Sequence, residues 1–202
     1  MEIVKNVKTA LGKRKKLTVI LSSVSVLFLG AGLYFYQDYK EKKHLEEVKD
    51  ASEQNQQLVA DMIEVGADAE DILNVVSDTW HDAIFDDWYT IDGQYAGNFN
   101  TALKLRYEQF NEEGLIVSLE SQMDAIEKEM DDLDKQPKEV KGDYELVYSV
   151  YKELRPFVDL AISPDGSLQT FNAKFGELQD NILSAHDDYK MKGSDPKEFE
   201  EK

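Results

Sequence analysis

Residues 45–80 read LEEVKDASEQNQQLVADMIEVGADAEDILNVVSDTW. Alternating steps of three and four from Leu45 select Val48, Ser52, Asn55, Val59, Met62, Gly66, Ala69, Leu73, Val76 and Trp80. Residues so spaced share one helical face, and the register never slips, which predicts one long helix. The seam is polar at Ser52 and Asn55. That predicts packing from about Leu58 onward and a polar helical stalk over 37–57, about 30 Å long if helical throughout.

Downstream, DGQYAGN (92–98) signals a turn through Asp92-Gly93 and Gly97. Phe99, Leu103, Arg106 and Phe110 continue at helical spacing. So do Leu115, Leu119, Met123, Ile126, Met130 and Leu133, with Gly114 between the two sets either ending a helix or weakening it. DKQPKEVKGD (134–143) reads as a loop, with Asp143 as an N-cap. Tyr144, Val147, Tyr151, Leu154, Val158 and Ala161 form the next apolar stripe, and Pro156 within it predicts a kink. SPDGS (163–167) is a tight turn, with Ser167 placed to cap the last helix. That helix carries Leu168, Phe171, Phe175, Leu178, Ile182 and Tyr189. No strand pattern competes. The fold class expected is all-α: long helices with short connections, packed as an elongated antiparallel, coiled-coil-like bundle.

Upstream, Leu17 to Tyr36 is 20 uncharged, mostly apolar residues, preceded by the basic cluster Lys13–Lys16. A helix of that length matches the bilayer hydrocarbon, and the positive-inside rule places residues 1–16 in the cytoplasm. Tyr34, Phe35 and Tyr36 fall where an outer aromatic belt would lie. A cleaved secretory signal is the rival reading, since GAG (30–32) offers small residues near a cleavage point. The expected organisation is a basic cytoplasmic tail (1–16), a single-pass membrane anchor (17–36), the stalk (37–57), an extracytoplasmic helical domain (58–191) and a disordered tail (192–202).

From residue 37 onward the chain carries 40 acids against 17 bases, a formal −23. Such a surface repels nucleic acid and anionic lipid headgroups and favours cations or basic partners. With no cysteine, disulfides and thiolate metal sites are excluded.

The densest chemistry lies in WHDAIFDDWY (80–89). On a helical wheel, Trp80, Ile84, Trp88 and Ile91 form a core stripe, and Asp78, Asp82 and Asp86 take the opposite face. Phe85 and Tyr89 fall on the acidic side, which one-sided burial does not explain: either a second neighbouring helix covers them, as in a bundle, or they stand exposed. With Asp82 and Asp86 they are the candidate partner-binding residues, because aromatics are enriched in interface hot spots. His81 lacks a ligand at i+3 or i+4, so a metal site needs residues from another helix, for which His186-Asp187-Asp188 is the source. Neither G-x-x-x-x-G-K-[ST], H-E-x-x-H nor G-x-S-x-G occurs, and the turns at Gly93 and Gly166 lack EF-hand spacing.

The function expected is non-enzymatic: a membrane-anchored module, without cofactor or resident metal, that binds or scaffolds another envelope protein, one with a basic surface. Two alternatives stand beside it. One is an extracytoplasmic domain sensing a ligand or cation. The other is a metal-dependent hydrolase built from the His81 and His186 regions. Oligomeric state is not legible.

Overall fold

The structure is a computed structural model that describes residues 36–86, 89–133 and 135–200. It is helical, with one small hairpin. The first helix, α1, runs Glu2–Phe85. A hairpin follows, β1 (Thr90–Ile91) and β2 (Gln94–Tyr95), then α2 (Phe99–Glu112), α3 (Leu115–Met130), α4 (Asp143–Ile162) and α5 (Leu168–Lys192). The expected membrane anchor at 17–36 falls, up to residue 35, outside the described residues. Among those described, no helix is long and apolar enough to cross a membrane.

The chain divides into two units, residues 1–47 with 200–202, and residues 48–199. In the first, the described helical residues 36–47 are mostly exposed. Lys42 pairs with Asp38 and Lys43 with Glu47, each at 3.6 Å one turn apart. Exposed pairs of this kind add about 0.3–0.5 kcal/mol each to a helix.

In the second unit the seam read from the sequence is the buried face of α1. Val48, Ser52, Asn55, Val59, Met62, Ala69, Leu73, Val76 and Trp80 are all buried. A parallel row of Ala51, Leu58, Val65, Ile72 and Thr79 is buried beside it, so α1 contacts neighbours on two sides. Packing therefore begins at Val48 and not near Leu58, and residues 48–57 belong to the packed unit, not to a stalk. The polar seam residues find partners in distant parts of the chain, although Asn55 Nδ2 is buried without one among the described residues. Ser52 Oγ donates to the carbonyl of Ser194 at 3.0 Å, and Gln136 Nε2 donates to Asn55 Oδ1 at 2.8 Å.

Contacts along the helices give their directions. Asp68 meets Gln122 and Thr79 meets Arg106, so α3 and α2 run down against α1. Gly66 lies 3.6 Å, from an ideal Cβ position, from Leu154, while Val48 clusters with Val140, so α4 runs up alongside α1. Phe175 packs on Phe157 and Ser194 reaches Asp143, so α5 runs down beside α4. The result is an up-down-up-down four-helix bundle whose second arm is broken into α2 and α3. The break is at Gly114, which takes φ 75°, a left-handed conformation that a side chain disfavours. One core runs through the bundle, from Leu58 and Met62 to Trp80, Leu154, Phe157 and Phe171.

Other local expectations resolve as follows. Ser167 caps α5 in a reciprocal arrangement with Thr170. The helix α4 is continuous through Pro156. Asp143 is no cap for α4: it is the first helical residue, buried, and accepts from both the backbone N–H and the hydroxyl of Ser194, at 3.1 and 3.2 Å. The tail expected to be disordered is ordered up to residue 199. Residues Pro196–Phe199 form a short 3-10 turn, Pro196 is buried, and Phe199 packs on Val48, Ala51 and Val140.

Candidate partner-binding site

Helix α1 stops at Phe85, short of the wheel drawn from the sequence. The run WYTI (88–91) that follows is aromatic and β-branched, and favours extended backbone. Asp92 (φ 48°) and Gly93 (φ 75°) close a two-residue hairpin with both central residues left-handed, the geometry for which Asp-Gly is preferred. The helical placement of Tyr89 and Ile91 is therefore corrected: both are carried by the hairpin region.

This change separates the four candidate residues. Phe85 is 67% exposed, with its ring 4.7 Å from that of His81. Asp82 is partly exposed, and its carboxylate lies 3.2 Å from His81 Nδ1. Asp86 is exposed just past the helix end. Tyr89 turns inward, onto a satellite core of Ile91, Ala96 and Ala102. Arg106 holds that arrangement: its Nε donates to Thr79 Oγ1 at 3.0 Å, and an Nη lies 3.5 Å from the Tyr89 hydroxyl. Phe85, Asp82 and Asp86 remain a surface, and Tyr89 leaves it.

The wheel also assigned Ile84 to the core, yet it is 46% exposed. Trp80, one turn back, is buried between Phe99 (6.2 Å between ring centres) and Phe171 (5.5 Å). Trp88, assigned to the same stripe, lies outside the described residues. The end of α1 thus presents two neighbouring apolar side chains, Ile84 and Phe85, beside Asp82 and Asp86. The signal available for Ile84 was the Asp86-Asp87 pair and the β-prone run after it, which mark the end of the helix and of its buried stripe.

The two histidines do not meet. His186, on α5, lines a shallow cavity of about 300 Å³ with Gln56, Val59 and Ala60. His81 follows Ala60 by 21 residues along α1, about 30 Å of helix. Among the described residues no group of three or more His, Asp or Glu is arranged to hold a metal ion. Burial, and to a lesser extent Lys190, lowers the pKa of His186 below its ordinary value, while Asp187 opposes the shift. A lowered folded-state value means that the unfolded chain binds more protons just below about pH 6.5, so stability falls as pH drops through that window. His186→Gln is expected to flatten the fall. Urea midpoints of both proteins from pH 7.5 to about 5 check this, the unaltered chain losing more over the range.

The cavity also borders a buried polar node. Tyr189 is 6% exposed, its hydroxyl has no partner among the described residues, and burial followed by the nearby Asp143 charge raises its pKa. Nothing in the sequence flagged this node, because Ser52, Asp143, Tyr189 and Ser194 are scattered along the chain.

Comparisons with protein-family models, with curated proteins and with solved structures find no match to this chain.

Proposed function

We propose that this chain is a membrane-anchored, extracytoplasmic helical module that binds or scaffolds another cell-envelope protein and carries no catalytic activity of its own. The observation that carries the reading is the exposed Ile84–Phe85 pair at the end of α1. Two adjacent large apolar side chains in water, flanked by carboxylates, are a costly surface for a protein this acidic, and such patches mark protein contacts. The anchor rests on the 20-residue uncharged run and its basic flank.

The test is affinity. A partner is captured by in-cell crosslinking from the outer domain, and its binding to the full chain is compared with binding to Ile84→Ala/Phe85→Ala. Hot-spot truncation weakens binding by about tenfold or more, and because both side chains are exposed the unfolding midpoint stays in place. Unchanged affinity with unchanged folding would remove the proposal.

A further inference from the structure

A second surface on α1 is distinct from the helix end. Where Gly114 breaks the second arm, α1 and α3 leave a groove of about 260 Å³. Its walls are apolar: Ile72, Val75, Phe110, Leu115 and Leu119. Val75 and Leu115 stand on the rim, 37% and 40% exposed. Asp68 and Asp71 flank the groove. Gln122 Nε2 donates to Asp68 at 3.0 Å and so helps fix that carboxylate in place.

Charge selects the occupant. Residues 50–103 contain twelve acids and not one Lys or Arg. Among the described residues, Glu64, Asp68, Glu70, Asp71 and Asp78 make no ion pair. An apolar slot in a field of one sign accepts an apolar side chain flanked by cations and rejects an anionic segment or an anionic lipid surface.

We propose that this groove docks a basic amphipathic helix of the partner protein, with one apolar anchor between Val75 and Leu115 and Lys or Arg side chains against Asp68 and Asp71. The inference rests on the reading of the chain as a protein-binding module, and names the chemistry of what it binds.

The probe is a labelled helical peptide with Leu at i, i+3, i+4 and i+7 and Lys on the flanking faces. Its counterpart has Glu in place of Lys. Fluorescence anisotropy measures binding to the full chain in phosphatidylcholine nanodiscs, with empty discs subtracted. The basic peptide binds and the acidic one does not. Asp68→Asn/Asp71→Asn weakens binding by about tenfold, as does Val75→Ser, and raised salt weakens binding to the unaltered chain. Glu177→Gln/Asp180→Asn on α5 removes the same charge and leaves binding in place. Equal loss from the α5 pair, or equal binding of the acidic peptide, would overturn the proposal by showing nonspecific attraction. Loss only in Ile84→Ala/Phe85→Ala would also overturn it while leaving the protein-binding reading intact. Self-association of the chain that Val75→Ser abolishes would assign the groove to a second copy, against the proposal.

Discussion

Phe171→Ala is expected to destabilise the bundle by about 3–5 kcal/mol, the range for emptying a fully buried aromatic site. Phe171 is completely buried on α5, tilted against Trp80 of α1 and Phe175 one turn on. It joins the first and last arms near the end at which α1 stops. Neighbouring rings cannot collapse fully into the space, because Trp80 is itself held by Phe99 on its other side. Urea unfolding followed by circular dichroism reads the loss as a lower midpoint with little change in slope. A loss below about 1 kcal/mol would mean that α5 does not pack on α1 as described.

The second large effect concerns the polar node. Asp143→Ala is expected to cost about 2–3 kcal/mol, since it removes a charged acceptor and leaves the Ser194 N–H and hydroxyl without it. Ending the chain at Gly193 removes the same bonds, together with the Ser52–Ser194 bond and the packing of Phe199 on Val48, Ala51 and Val140. A chain with both changes should lose less than the sum of the two, because they delete shared interactions. Strict additivity of the measured losses would show that the tail and Asp143 act independently.

These two sites differ in how far they were legible. Phe171 sits in a stripe at helical spacing, so its place in a core followed from the sequence. The face of α1 was legible for the same reason from Leu58 to Trp80, but not from Val48 to Leu58. Ser52 and Asn55 point to a stalk because a polar residue in a seam is unfavourable without a partner. Their partners, Ser194 and Gln136, are 142 and 81 residues away, and no local pattern announces such a pairing. The tail hides its contacts for the same reason: KGSDPKEFEEK is polar in composition, but its Ser194, Pro196 and Phe199 are the residues that dock.

The candidate site was half legible. A helical wheel assumes that the helix continues, and here it ends at Phe85. The strands that follow are two residues each, too short for an alternating pattern to show. Only Asp92-Gly93 signals them, and by itself that pair marks no more than a turn. Of the two arrangements open to Phe85, the structure shows the exposed one. Tyr89 was moved inward by Arg106 and the hairpin, and Ile84 was left outside by the end of the buried stripe.

Position-resolved photo-crosslinking in cells tests most directly the claim that the acidic face of α1 is where a protein partner binds. A photoreactive residue is placed in the full chain at 75, 85, 183 or 191, all exposed positions. The account predicts one adduct of the same mass from positions 75 and 85, and none from 183 and 191 on α5. Adducts confined to 183 and 191, or equal from all four positions, would contradict it.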